Sequence, residues 1–245
     1  MIALREVFTQ RKDEIQKFVE LMQFLERKKI MPEEGEETFE QFFHGKVGLQ
    51  FSYQELINVL KSNYALMLYN IIEYTVTGLM ETIYDEIKMG GLSYIEVNES
   101  IRTIWRKAMV KPLKDPNSNH TTFIKRNEEI IEEILGRKVL VIKAKDTLPG
   151  GNLDGQAITQ IFRDHGLTID MHSSNYRPDI LKSLKDNRNN LAHGTVSFVE
   201  ALRDDSINDL KENCDLVIAF LEELIQEVEQ YIVIEGFRNR EEPKE

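Results

Sequence analysis

Cysteine, proline and glycine are scarce in this sequence: among 245 residues there are one cysteine, six prolines and thirteen glycines. The single cysteine, Cys214, excludes an internal disulfide and is typical of a protein from a reducing compartment. Proline and glycine are the residues that most often interrupt helices, so long stretches without them favour a mainly helical fold. A chain of this length also buries a substantial core.

Positive charge is scarce as well, since 31 lysines and arginines stand against 42 aspartates and glutamates and give a formal net charge of -11. A protein that coats nucleic acid needs a broadly basic surface in order to release counterions, so this composition argues against that class. An enzyme that acts on nucleic acid needs only a local basic cleft.

Long apolar runs and secretion signals are also missing. The most apolar stretch, residues 64–80, carries Asn70 and Glu73 at its centre, and it is shorter than the roughly 20 residues that span a membrane. Residues 1–20 are charged throughout, unlike a signal peptide. We therefore expect a soluble protein of the cytoplasm.

The sequence carries no recognisable metal or cofactor motif. It has no cysteine cluster and no His-x-x-x-His pair, and the histidines outside the motif described below are scattered. It also lacks the glycine-rich loops that bind nucleotide phosphates. We predict no metal ion and no cofactor.

Periodicity and capping residues predict the principal helices. Residues 2–30 carry an apolar face that includes Ile2, Ile15 and Leu21, and the acidic run 33–37 follows them. Ser52 and Glu55 form a capping box that begins a central helix, which we expect to extend to Met89. We expect residues 1–50 to pack on a bundle, residues 51–235 to form a helical domain and residues 236–245 to form a disordered tail.

The last helix has the clearest apolar seam, in which spacings of three and four alternate over about seven turns. The seam comprises Ile207, Leu210, Cys214, Val217, Leu221, Leu224, Val228 and Tyr231. Packing inside a bundle is the default interpretation, and a coiled-coil dimer is the alternative. Cys214 is then a small buried hydrophobic residue rather than a nucleophile.

Residues from about 94 to 176 form a predicted insertion with α and β elements. We expect helices near 95–109, 119–135 and 154–165, and a short strand at 139–142. Residues 94–145 contain eleven basic and seven acidic residues, a local net charge of +4. This basic segment, with Trp105 in it, is a candidate to contact an RNA phosphate backbone or to stack on a base, and Arg102, Arg106 and Lys107 are the candidate RNA-binding residues; a solvated face is the alternative.

The run from Asp186 to Gly194 places Arg188 and His193 just before a glycine that can end a helix. We expect this helix to start at Pro178. Five helical positions separate the two side chains by roughly 140° and about 7.5 Å of rise, so one chain aims them poorly at one point. Two copies meeting across a two-fold axis would bring both pairs into one cleft, an arrangement suited to phosphodiester cleavage. The alternative is a set of ordinary polar residues at a helix end.

Glu73 lies amid apolar residues of the central helix, where an unpaired carboxylate is costly. It is either a satisfied residue at the helix surface or a partner that orients Arg188.

Three segments carry a family resemblance. The run Arg188 to Gly194 resembles the Arg-polar-x-x-x-His signature of HEPN domains, residues 66–76 resemble the long second helix of the MAE_28990/MAE_18760-like HEPN nuclease branch, and residues 150–158 resemble its Gly-Asn-x-Asp turn. The order of the three segments also agrees with that branch. The resemblance implies an antiparallel HEPN helical bundle with the insertion between its central and motif helices.

The resemblance also implies an activity. It implies a homodimeric, metal-independent endoribonuclease in which the RNA 2′-hydroxyl attacks the adjacent phosphorus. Arg188 would bind the phosphate, His193 would move a proton, and Asn189 would hold the phosphate or the histidine. The partial negative charge at a helix C-terminus favours a cationic ring and hence His193 as the acid.

The family setting suggests a bacterial defence or toxin-antitoxin system, with an antitoxin or another subunit as a partner. Two alternatives stay open: a non-catalytic HEPN subunit for RNA binding or assembly, and an acidic helical adaptor that binds another helix through its seam.

Overall fold

The structure, a computed structural model, describes residues 1–30, 52–111 and 120–240. These residues form a mainly helical protein, as predicted. The described helices are α1 (Ile2–Ile30), α2 (Tyr53–Met89), α3 (Glu99–Val110), α4 (His120–Leu135), α5 (Ala144–Thr147), α6 (Gly155–Asp164), α7 (Pro178–Ala192) and α8 (Ile207–Val233). Within the described ranges, no helix is long and apolar enough to cross a membrane.

The chain divides into two compact units. Of the described residues, the first unit comprises 74–111, 120–173 and 221–240 together with Met1, and the second comprises 2–30, 52–73 and 174–220. Helix α2 contributes to both units, with its first part in the second unit and its last part in the first. Helix α8 is divided in the same way.

Helix α2 begins and ends where the sequence predicts. The amide of Ser52 donates to Glu55 Oε2 at 3.0 Å, and the amide of Glu55 donates to Ser52 Oγ at 3.2 Å, which completes the capping box. Gly91 follows the helix with a φ of 65°, a left-handed conformation that ends it. The helix is buried on several faces, which agrees with its predicted central place.

Helix α1 has the predicted length but a different inward face. Ile15 is 2% exposed, whereas Ile2 and Leu21 are 78% and 45% exposed, so the last two do not belong to the core. Leu4 and Phe8 take the inward positions instead, because at 100° per residue they continue the stripe that Ile15 occupies. The acidic run 33–37 and the boundary expected at residue 50 lie outside the described residues.

The insertion is helical, and the predicted strand at 139–142 is wrong. Val139 forms only an isolated antiparallel bridge with Ser93, and Val97 forms another with Arg238. Within the described residues, no strand lies beside this short run with which it could form a ladder. Helix α6 agrees with the prediction: the side chain of Asp154 accepts from the amide of Ala157 at 2.9 Å and caps it.

The apolar seam of α8 is buried within this chain. All eight seam residues are at most 7% exposed, and burial raises the pKa of the Cys214 thiol. The bundle interpretation of the seam is therefore confirmed, and an adaptor that binds a partner helix through this seam is wrong. Cys214 is a core residue, as predicted.

Residues 236–240 are packed rather than disordered. Phe237 is 4% exposed, and the amide of Asn239 donates to the carbonyl of Glu96 at 2.8 Å. The predicted disordered tail is wrong for these residues, because a buried aromatic ring holds them in place. Residues 241–245 lie outside the described part of the chain.

A buried histidine lies at the centre of a hydrogen-bond network in the first unit. His165, 2% exposed, has its Nδ1 2.6 Å from the carbonyl of Ile161 and its Nε2 2.7 Å from the hydroxyl of Tyr84. Because a carbonyl only accepts, Nδ1 donates and Nε2 accepts from the tyrosine in the neutral ring. Burial lowers the pKa of His165 from 6.5 to about 4.

We predict that His165 makes folding sensitive to mild acid. The unfolded chain takes up a proton at this ring below about pH 6.5, while the folded chain does so only near pH 4. The contribution of the neutral ring to the free energy of unfolding is therefore complete at neutral pH. It is lost as the pH falls from about 6.5 to about 4, and the total loss is about 3 kcal/mol. Urea denaturation at several pH values measures it.

Two variants complete this test. His165→Gln should flatten the pH dependence between pH 6.5 and pH 4 relative to the parent protein. His172→Gln is the matched control, because His172 is exposed and should keep the parent profile. Identical profiles for all three proteins would contradict a neutral buried ring.

Candidate active site

Helix α7 carries the candidate site, and it starts as predicted. Pro178 occupies the first turn, where a missing amide costs no hydrogen bond. Just before it, Arg177 donates from Nε and Nη2 to the carboxylate of Asp179 at 3.0 and 2.6 Å. These two hydrogen bonds link the residues on either side of Pro178.

The C-terminus of α7 is closed by a Schellman motif. His193 is the capping residue, and Gly194 follows with a φ of 66°. The amide of Gly194 donates to the carbonyl of Leu191 at 3.2 Å, and that of Thr195 donates to the carbonyl of Asn190 at 2.9 Å. The predicted helix end is confirmed, and it leaves His193 exposed.

Arg188 lies against the central helix. Its Cζ is 5.3 Å from the centroid of the Tyr69 ring, a cation-π distance, and Tyr69 is 0% exposed. Its Nη1 donates to Asn189 Oδ1 at 3.0 Å. Arg188 is therefore half-buried and held on two sides, and Asn189 contacts the arginine.

Glu73 is half-buried and lies four positions after Tyr69 on α2. Residues four apart share a helix face, so Glu73 lies one turn along the face that carries the Tyr69 ring. This placement is compatible with Glu73 orienting Arg188, which stays a prediction.

The segment after the motif is anchored on α2 by two buried polar side chains. Ser62 Oγ donates to the carbonyl of Phe198 at 2.7 Å, and Lys61 Nζ donates to the carbonyl of Asp205 at 2.6 Å. Burial lowers the pKa of Lys61. We refer to residues 195–206 as the anchored loop.

The sequence did not predict that Tyr69, Lys61 and Ser62 contact the motif or the loop that follows it. Tyr69 lies inside the segment that resembles the HEPN second helix, and this resemblance is the sequence signal that could have identified it. Lys61 and Ser62 were marked only by their polarity in an otherwise apolar helix.

The basic residues Arg102, Arg106 and Lys107 of the insertion make contacts within the first unit. Arg102 donates to the carbonyls of Tyr94 and Ile95 at 2.9 and 2.6 Å. Arg106 pairs with Glu99, and Lys107 Nζ is 3.4 Å from Asp164 Oδ2. Part of the positive charge of these three residues is thus neutralised locally, and their role in RNA binding stays a prediction.

Trp105 is 1% exposed, and its ring centroid lies 5.2 Å from that of Tyr94. The prediction that it stacks on a base is therefore wrong. It lies on the apolar face of α3, which faces the core.

In the part of the chain that the structure describes, no group of three or more histidine, cysteine, aspartate or glutamate side chains has an arrangement that could hold a metal ion.

Comparison with known families agrees with this architecture. The family model described as HEPN_MAE_28990-like HEPN matches residues 3–237, nearly the whole chain. A search of curated proteins and a search of solved structures gave no significant match. A HEPN domain indicates a nuclease or RNA-related function in general.

We predict that Gly194→Ala lowers the free energy of unfolding by about 1 kcal/mol, because left-handed backbone is costly for a residue with a Cβ. An added Cβ would meet no atom within 4 Å, so the cost comes from the backbone alone. Gly91 is a matched control with a φ of 65° and equally open surroundings. Urea denaturation should give similar losses for both alanine variants; a loss at Gly91 alone would contradict the Schellman motif.

Proposed function

Because the chain belongs to the HEPN family, we propose that it is a metal-independent endoribonuclease that cleaves RNA by attack of the 2′-hydroxyl. The observation that carries the proposal is the end of α7, where a half-buried guanidinium rests on Tyr69 and an imidazole is exposed at the cap. Phosphodiester cleavage needs such a pair: a fixed cation for the phosphate and a group that transfers a proton.

In the proposed reaction the 2′-oxygen forms a bond to phosphorus and the bond from phosphorus to the 5′-oxygen breaks. Arg188 binds the phosphate oxygens and stabilises the charge that grows on them. Protonated His193 gives its proton to the leaving 5′-oxygen, and a second imidazole or water takes the proton of the 2′-hydroxyl. The products are a 2′,3′-cyclic phosphate and a 5′-hydroxyl. Asn189 holds the guanidinium, and Glu73 positions it from α2.

We propose that the active form is a homodimer. Arg188 is turned toward α2, while His193 is exposed one and a half turns later. The two groups of one chain therefore diverge, and a two-fold axis near the end of α7 would supply the missing group from a second copy. RNA would approach along this shared cleft. Arg102, Arg106 and Lys107 of the first unit stay candidates for RNA binding.

We place the enzyme in a bacterial defence or toxin-antitoxin setting, on the resemblance alone. An RNase of this kind needs restraint in its own cell, and an antitoxin or another subunit of the system would provide it.

We predict that Arg188→Ala and His193→Ala each reduce RNA cleavage about a hundredfold or more. Each change removes charge stabilisation or proton transfer, and neither opens a core cavity, so the circular dichroism spectrum should be unchanged. Arg163→Ala and His172→Ala are the controls, because both residues are exposed and lie outside α7. Near-normal cleavage by either site variant would favour a non-catalytic RNA-binding or assembly subunit.

Mixing the two site variants tests the dimer. A heterodimer retains one intact Arg188 and one intact His193 on opposite chains, so some activity should return if they serve one phosphate. Light scattering measures the oligomeric state of each protein. A monomer with full activity would contradict the shared cleft.

We predict that cleavage persists in excess chelator, because the 2′-hydroxyl supplies the nucleophile and Arg188 supplies the positive charge. An RNA with a single 2′-deoxy substitution at the cut site should stay intact. Activity that is lost in chelator and restored by magnesium, or cleavage of the 2′-deoxy substrate, would argue against this mechanism.

A further inference from the structure

A cavity of about 220 Å³ opens beside the candidate site in the second unit. It is lined by residues of α2, α7, α8 and the anchored loop. Four of the lining residues on α7, namely Ile180, Ser183, Leu184 and Asn187, are spaced by three, one and three positions and thus share one face. Asn187 directly precedes Arg188, so the cavity reaches the residue next to the proposed phosphate ligand.

The lining combines apolar walls with a set of polar side chains. Leu68, Ile180 and Leu184 are buried and form part of the walls. Asn213 and Asp205 contribute polar groups from α8 and the anchored loop. Apolar walls suit the flat faces of an unstacked nucleobase, and polar side chains suit its hydrogen-bonding edge.

The charges in the cavity favour a base over a phosphate. Asp179 and Asp205 both line it, and a carboxylate repels a phosphate group. Arg177 already binds Asp179 through two hydrogen bonds. Asp205 is half-buried, and desolvation raises its pKa although Lys61 opposes the shift. A neutral ligand that donates a hydrogen bond to Asp205 would compensate for this desolvation.

We propose that this cavity holds the base next to the scissile phosphate and selects a base with an exocyclic amino group. Adenine, cytosine and guanine carry such a group, and uracil does not. Carboxylates accept hydrogen bonds from amino groups of bases, and asparagine amides pair with the edge of adenine. The inference rests on the proposed function, because it takes Arg188 as the phosphate ligand.

The test is the binding of AMP, CMP, GMP and UMP to the full chain by calorimetry. The three nucleotides with amino groups should bind about tenfold more tightly than UMP, the effect of one hydrogen bond to a charged group. Asp205→Asn should reduce this preference about tenfold. Asp85→Asn is the matched control, because Asp85 is an exposed carboxylate outside the cavity lining.

Asn187→Ala is a second cavity variant, and it should also reduce the preference for bases with amino groups. It keeps the test decisive if Asp205→Asn fails to fold. Arg188→Ala should weaken the binding of all four nucleotides equally and leave the base preference unchanged. Equal binding of the four nucleotides by the parent protein would overturn the inference, as would an unchanged preference in the folded cavity variants.

The measurement also separates this inference from the proposed function. Binding requires no cleavage, so an inactive protein that prefers amino-bearing bases supports the cavity and contradicts the nuclease. RNA cleavage without any base preference in binding supports the nuclease and contradicts the cavity.

Discussion

The burial of α2 is the constraint on which the candidate site depends. This helix of 37 residues carries polar groups into the interior, and a buried group left without a partner costs about 1 to 3 kcal/mol. Carbonyls that follow the motif in the chain supply three of these partners. Ser62 binds Phe198, Lys61 binds Asp205, and Tyr64 Oη donates to Leu210 at 3.0 Å. The anchored loop is thereby fixed, and the end of α7 lies directly before it.

This arrangement gives Arg188 and His193 different physical environments. The arginine rests on a fully buried ring and on a neighbouring amide, so the proposed binding of a phosphate would cost it little conformational entropy. The histidine is exposed at a capped helix end and keeps access to solvent protons. In the proposed reaction, a rigid cation and an accessible imidazole would suit catalysis better than two mobile side chains, because preorganised charge does not have to reorient.

Charge on this acidic chain is organised in local pairs. Arg106 and Lys107 pair with carboxylates in the first unit, as Arg177 does at the start of α7. Exposed pairs contribute little to stability and are screened by salt. In the proposed function, attraction of RNA would depend on a few cations near the motif rather than on a broad basic surface, in agreement with the net charge of -11.

Several helix ends could be predicted from local sequence signals. Ser52 with Glu55, Asp154, Pro178 and Gly194 act on backbone groups within six residues, so their effect does not depend on how the chain packs. Long-range packing, in contrast, explains why Arg188 contacts Tyr69, why Trp105 is buried and why Ile2 is exposed. It also reduced the expected strand at 139–142 to a single bridge. These outcomes rest on contacts between residues far apart in the chain, and helical periodicity shows which faces are apolar but not which segments they meet.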